Sequence, residues 1–388
     1  MGILANTVSI CQFQVLGDAP DKDLFAWAAP RLAKNAFQPI DQGAEELSVG
    51  WVHLDDFKAN DFGAPDVYRR DHSLCFTLRR DQRRVPAALM RAHLESALQE
   101  HLAANPGMQR VNKHKKEELR DAVRGALLAR TLPAPATYDA VWDTRSGRLT
   151  FASLNAKIIE LFETLFKQTF EGLRLVAVHP YARAAQVVDP ALRPALEKAN
   201  GATSEAVIDL IKDNQWLGWD FLRWLTHRSM TDDSRYVVNR PGPAVEGEEF
   251  IAYPNDRLVL AGGGETGVQK ITVAGPQDHF SEVRTALLGG KEILEAILYL
   301  EKGEHLWKLT LKGGVFHFAS FKAPAVKLEK DAHTDQDNEK IAIFYERMHV
   351  LEEGLQLFDS LLATFLSLRL GAGWGAQSQA IADWLQED

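Results

Sequence analysis

The sequence predicts a mixed α+β protein of antiparallel sheets and packed helices, with a projecting helical hairpin as a tip and a long C-terminal helix. Three observations predict it. Short runs alternate apolar and polar residues with the period of two that a strand with one buried face requires. Other stretches, above all the last long one, repeat apolar residues every three or four positions, the helical period. Between strand runs stand tight-turn sequences, Thr-Arg-Ser-Gly at 144–147 and Gly313-Gly314, of the kind that joins antiparallel neighbours.

A chain of 388 residues exceeds one ordinary core, so two or three domains are expected. An apolar fraction of 46% with 25% charged residues is that of a well-folded globular protein. Residues 1–85 read as an α+β unit. "NTVSICQFQVL", "SVGWVHL" and "HSLCFTLRR" are strands, and "DLFAWAAPRLAKNAF" is a helix with Phe25, Ala29 and Leu32 on one side. Residues 86–133 read as a helical hairpin. Pro86 suits a first turn, Met90, Leu94, Leu98 and Leu102 recur every fourth residue, and "ANPGMQ" breaks the helix before a second one ends at Pro133. Residues 134–200 supply the hairpin "YDAVWDTRSGRLTFAS", a helix with Ile158, Leu161, Phe162 and Leu165 buried, and the strand "LRLVAVHP". Residues 201–267 are Trp-rich (Trp216, Trp219, Trp224) and read as an insertion or linker. Residues 268–388 form a second α+β unit with the hairpin "HLWKLTLKGGVFHFASFKAP" and the long helix. On that helix Phe344, Met348, Leu351, Leu355, Phe358, Leu362 and Phe365 repeat at 4 and 3, a coiled-coil-like seam fit for its own sheet or a subunit contact.

The formal charge of -9 hides an asymmetry. Arg69 to Arg130 carries 14 Lys and Arg against 7 Asp and Glu, a balance of +7, whereas the rest carries 30 against 46, or -16. On the second hairpin helix Lys113, Lys116, Arg120 and Arg124 fall within roughly 80° of one another at the helical period. Leu119, Ala122, Val123 and Ala126 form a narrow apolar stripe beside them. Glu117, Glu118 and Asp121 can pair with some of the bases, so a solvated face and a polyanion-binding face both remain open.

Motifs of catalysis are decoys here. "GGGETG" (262–267) satisfies G-x-G-x-x-G, but the following "VQKITVAG" alternates like a strand, so a hairpin turn is expected instead of a dinucleotide site. Asp56-Phe57-Lys58, with Pro20-Asp21 upstream, mimics a nuclease metal site but lies in a polar loop. The histidines form no H-E-x-x-H or short Cys/His cluster, and no G-x-S-x-G occurs. No catalytic residue, metal or cofactor is expected. Cys11 and Cys75 fit no disulfide framework, "MGILANTVSICQF" resembles no signal peptide, and no run spans a membrane, so a cytoplasmic location is expected.

In order, "AFQPI", "VGWV", "FTLRRDQRRVP", the Lys-rich helix ending "LLARTLP", "VWDTRSGRLTFAS" and "NAKIIELFETL" resemble the recombination-associated protein RdgC family. "LWKLTLKGGVFHFASFKAP" with the closing helix is similar to its C-terminal part. The resemblance covers roughly 4–178 and 268–366, as a divergent member. It implies a nucleoid-associated, sequence-independent binder of double-stranded DNA, a ring-shaped homodimer with a basic hole, that restrains RecA-type recombinases indirectly, through DNA. The residues it implies at DNA are Arg79, Arg80, Arg83, Arg84, Lys113, Lys115, Lys116, Arg120, Arg124 and Arg130, with Lys270 and Gln277 in the later segment. Leu127, Leu128 and Leu132 near the tip, and the Phe344 to Phe365 seam, are the candidate dimer contacts. The family's Leu-Leu-Pro-Arg-Ala-Phe is here Leu127-Leu128-Ala129-Arg130-Thr131-Leu132, which changes the expected tip contact. A metal-dependent nuclease or nuclease accessory, and an interaction scaffold without DNA binding, are the alternatives.

Overall fold

The computed structural model describes residues 2–20, 23–43, 45–231, 234–264, 267–326 and 336–387. In chain order the elements begin with β1 (Thr7–Gly17), α1 (Leu24–Lys34), β2 (Leu47–Val52), β3 (Arg69–Arg70) and β4 (Ser73–Gln82). The helical hairpin α2 (Ala87–Ala103) and α3 (Lys113–Arg130) follows, then β5 (Ala134–Asp143), β6 (Arg148–Phe151), α4 (Ala156–Thr169) and β7 (Leu173–Ala177). Four helices come next: α5 (Pro180–Val187), α6 (Arg193–Ala199), α7 (Val207–Lys212) and α8 (Trp216–Thr231). The chain continues through β8 (Arg235–Val237), β9 (Glu249–Gly264), β10 (Gly267–Ala274), α9 (Ser281–Leu288), β11 (Glu292–Lys302), β12 (His305–Lys312) and β13 (His317–Lys322). It closes with α10 (Gln336–Arg369) and α11 (Trp374–Gln386). The chain divides into two compact units. Unit 1 is Met1–Gly17, Trp142–Glu163 and Leu173–Asp388, and unit 2 is Asp18–Val141 and Thr164–Gly172. Among the described residues no single helix is long and apolar enough to cross a membrane.

Unit 1 is built on an antiparallel sheet in the order β10-β9-β11-β12-β13-β1, with β8 on β9. β1 changes partners along its length: Thr7 to Ile10 pairs β13, while Cys11 to Gly17 runs between β6 and β7. The register shifts between Val8 and Ile10, where the Ser320 amide donates to Ser9 Oγ at 2.9 Å. A bulge of this kind bends a strand and re-aims it, which lets β1 serve two sets of neighbours.

The seam of α10 packs into this unit's own core. Phe358 meets Phe221, Phe316 and Phe318 edge-on, and Phe365 meets Phe221 and Trp224. Phe344, Met348, Leu351, Leu355 and Leu362 are buried with them. Leu357, Leu361 and Ala363 on other sides of α10 are also buried, so the second half of the helix is enclosed nearly all round, as a helix apolar on every side must be. The expected dimer contact along Phe344 to Phe365 is therefore corrected: intramolecular burial takes the whole seam. Two of the buried polar side chains on α10, Gln356 and Ser360, are satisfied. Gln356 Nε2 donates to the carbonyls of Arg240 (2.7 Å) and Ala244 (3.0 Å), its Oε1 accepts from the Ala244 amide (2.7 Å), and Ser360 Oγ accepts from the Asn239 amide (3.1 Å). The Trp-rich stretch, expected as an insertion, contributes α8 to the same core, with Trp224 fully buried.

Gly354 lets α10 approach the sheet closely. A Cβ there would stand 2.6 Å from Trp307 Cδ1 and 2.8 Å from Phe321 Cζ. Trp307 cannot retreat easily, since it is fully buried and its Nε1 donates to the Val350 carbonyl at 2.7 Å. Gly354→Ala is expected to destabilise the protein by about 1–3 kcal/mol through overpacking, outweighing the roughly 1 kcal/mol of helix propensity it gains. A thermal melt checks this; a raised Tm would contradict the packing.

Unit 2 pairs β2 and β3 with β4, and β5 lies on β4's other side in the strand order. Its core is aromatic. Trp51 donates from Nε1 to Thr169 Oγ1 at 2.7 Å and lies edge-on to Phe76 at 5.0 Å, while Phe170 stacks on Trp27 at 5.7 Å. The hairpin takes almost no part in it. α2 buries no residue and α3 buries Leu127 alone, so the two helices shelter mainly each other along Leu94, Leu98, Leu119 and Val123, all half-buried. A helix pair so exposed is a projection from the unit, as the sequence predicts.

Candidate nucleic-acid interface

The end of β4 explains which bases can meet a polyanion. Strand periodicity sends alternate residues of Arg79-Arg80-Asp81-Gln82-Arg83-Arg84 to opposite faces. On the inner face Asp81, 1% exposed, accepts two hydrogen bonds from Arg79, Nε at 2.8 Å and Nη2 at 2.6 Å. That bidentate bond is the main reason the Arg79 guanidinium is pushed above its ordinary pKa. The Arg79 side chain, 12% exposed, also stacks over Phe37 at 4.1 Å. Arg83 is 1% exposed and donates to four carbonyls: Ile40 (2.5 Å), Asp41 (3.1 Å), Gly43 (2.9 Å) and Leu128 (3.1 Å). It fastens the last turn of α3, where carbonyls lack helix partners, to the 40–43 loop. Arg79 and Arg83 are thus structural, which corrects their expected place at DNA.

On the outer face, Gln82 Oε1 accepts from Arg80 Nη2 (2.6 Å) and Arg84 Nε (3.3 Å) and aligns both guanidinia. Arg84 lies on a groove of about 680 Å³ beside α3, lined also by Arg120, Arg124, Glu46, Glu117, Asp121, Met90 and Leu128. Gln82 and Glu46 were missed at the level of sequence; the alternation Arg80-x-Gln82-x-Arg84 was the available signal for the first. Glu46 accepts from Arg124 Nη2 at 2.6 Å, and both side chains are about half exposed, so the pair is weak and exchangeable.

Lys113, Lys116, Arg120 and Arg124 are all exposed on α3. Asn112 caps the helix, its Oδ1 accepting from the Lys115 amide at 2.8 Å. The first turn holds no acid, so lysines crowd the end of the helix where the backbone dipole is already positive. Local helix stability disfavours that arrangement; an anion offsets it. Lys115 is partly spent: its ammonium donates to Glu118 at 2.7 Å and holds that carboxyl below the usual carboxylate range. Arg130 is exposed in the last turn, at the opposite end of α3 from the lysines.

The hairpin also relocates the expected tip. Its distal end is the 104–112 turn, whereas Leu127 and Leu128 sit at the base, Leu127 buried and Leu128 half-buried. Leu132 alone of the three is well exposed, at 80%. Leu127 also falls within the arc of the bases, one turn beyond Arg124, so the basic face dips onto its own unit at the base. Lys270, exposed on β10, and Gln277, half-buried after it, belong to unit 1, while the hairpin bases belong to unit 2.

Gly264 and Gly267 pair across the β9–β10 hairpin, with Glu265 and Thr266 outside the described residues. Asp56 Oδ1 accepts from the Lys58 amide at 2.9 Å in an exposed turn, and Asp21 lies outside the described residues. Among the described residues no group of three or more His, Cys, Asp and Glu could hold a metal ion. Burial pushes the Cys11 thiol up to about 12 and raises that of Cys75 as well.

Antiparallel sheets, a core of packed helices and an exposed cationic helical hairpin define the class: a mixed α+β protein presenting bases on a projection. Residues 25–188 match the family model described as "RdgC: Putative exonuclease, RdgC", a span from α1 through α5 that includes the whole hairpin. That segment, rather less than half of the chain, is therefore similar to the RdgC family. Among curated proteins no match was found.

Proposed function

We propose that this protein is a non-catalytic, sequence-independent binder of double-stranded DNA. The observation that carries the reading is the exposed arc Lys113, Lys116, Arg120 and Arg124, continued by Arg84, on a hairpin that barely contributes to its own unit's core. Structure does not need these bases where they are, and an acidic chain with a cationic projection directs polyanions to one place. The likeness of residues 25–188 to the RdgC family supports a recombination-associated role at the nucleoid, in the cytoplasm. Covering duplex in this way would restrain RecA-type recombinases without touching them. The test is a binding assay with duplex and single-stranded oligonucleotides in Mg²⁺. Retention of full-length DNA in salt-sensitive complexes is expected. Mg²⁺-dependent shortening would establish the nuclease alternative, and no binding would leave the scaffold.

Encirclement requires a closed assembly, and a two-fold dimer is the commonest closed arrangement. With the α10 seam buried, Leu132 is what remains of the expected dimer contacts. Solution mass at micromolar concentration is expected to be that of a dimer, and Leu132→Asp is expected to weaken it. A monomeric parent protein would contradict the ring.

A further inference from the structure

A depression of about 450 Å³ in unit 1 lies where the middle of β9, the β10–α9 connection and the end of α8 meet. One wall is Tyr253. Its ring stacks on Tyr299, directly opposite on β11, with centroids 5.3 Å apart and planes 7° from parallel. Its hydroxyl donates to Glu301 Oε1 at 2.6 Å. Tyr299 is held in turn by its hydrogen bond to Asp256 and by Lys308 over its ring at 4.9 Å. The wall is thus a flat aromatic surface fixed from behind, with little rotamer freedom left to lose on binding.

The polar groups around it are also fixed. Asn255 Oδ1 accepts from the amides of Asp256 (2.7 Å) and Gln277 (3.0 Å), which leaves the Asn255 NH₂ for a ligand. Gln277 Nε2 donates to the Gly275 carbonyl at 2.9 Å, which leaves its Oε1 as an acceptor. Asp278 adds an exposed carboxylate. Among the described residues no Lys or Arg lines the depression, so it lacks the positive charge that would favour a phosphate. Strain concentrates at the same place. Ser234 (φ 58°) and Phe280 (φ 50°) line it, and Asp256 (φ 60°) adjoins Asn255, all in the left-handed region that side chains avoid. Such residues are costly to hold and gather at ligand sites.

We propose that this depression receives one unpaired nucleobase, stacked on Tyr253 with its edge hydrogen-bonded by Asn255, Gln277 and Asp278. A flat aromatic wall with one donor and two acceptors suits a neutral planar ring bearing N–H and C=O groups, and stacking tolerates any base. The proposal rests on the polynucleotide-binding reading and extends it to frayed or single-stranded DNA. The probe is a single-stranded oligonucleotide carrying 2-aminopurine, titrated with the full chain. Fluorescence quenching is expected with the parent protein and with Tyr253→Phe. Tyr253→Ala is expected to lose the quenching and to bind single strands about 5- to 100-fold more weakly, with duplex affinity unchanged. Asp278→Asn, at an exposed position, is expected to weaken single-strand binding several-fold without affecting folding. Salt-sensitive binding of both DNA forms with no quenching would overturn the pocket and leave the hairpin reading intact. Binding of neither form would overturn both.

Discussion

Replacing Lys113, Lys116 and Arg120 by Glu, together with Arg124→Gln, is expected to lower duplex affinity by about 100-fold or more near 0.1 M salt and to leave the fold in place. Non-specific affinity for duplex is almost wholly electrostatic, so it falls with the count of bases that reach phosphate. The first three side chains are exposed and touch no core. Arg124 is treated differently because it pairs with Glu46; a Glu at that position would face a second carboxylate and confuse lost binding with lost stability. Circular dichroism and a thermal melt establish the fold, and fluorescence anisotropy with a labelled duplex gives the affinity. Unchanged affinity would reduce the arc to a solvated helix face.

Arg83→Ala is expected to cost about 3–5 kcal/mol of stability, the largest effect of any single basic residue in unit 2. Its guanidinium is buried and ties together four carbonyls, so truncation removes four hydrogen bonds and opens a cavity at once. The break falls where α3 meets the rest of unit 2, so amides in the last turn of the helix should exchange with solvent before those of β4. Arg83→Lys should recover little, because one ammonium cannot span carbonyls that a planar fork reaches together. Denaturant unfolding measures the loss. A variant within about 0.5 kcal/mol of the parent would contradict the structural role.

Much of the fold was legible in the sequence. The alternation in "NTVSICQFQVL", the fourfold spacing from Met90 to Leu102 and the seam of α10 each specify an element whose period nothing else satisfies. What the seam packs against was not legible, because period gives a face and not its partner. A 4-3 repeat suits a second subunit as well as Phe316, Phe318 and Trp224. The Gly313-Gly314 turn was read correctly for a different reason. The left-handed residue is Phe316 (φ 51°), and its anchor is a ring buried against Phe221 and Phe358. It is Gly218 on α8 that admits this turn, since a Cβ there would stand 2.3 Å from the Gly313 carbonyl oxygen.

The candidate site was half legible. Helical spacing places Lys113, Lys116, Arg120 and Arg124 together, and all four are exposed. Treating Arg79 to Arg84 as one basic cluster ignored the strand period. Asp81 between two arginines was the sign that one face turns inward, and Arg79 and Arg83 follow it there.

The salt dependence of duplex binding tests the central claim most directly. Five exposed bases per chain, Arg84, Lys113, Lys116, Arg120 and Arg124, each displacing counterion at about 0.9 per phosphate, predict a slope of log K against log salt near -4.5 per protomer. The quadruple variant should flatten it to about -1. A parent protein whose affinity stays constant from 50 to 200 mM salt, roughly the range over which such contacts are lost, would contradict the account.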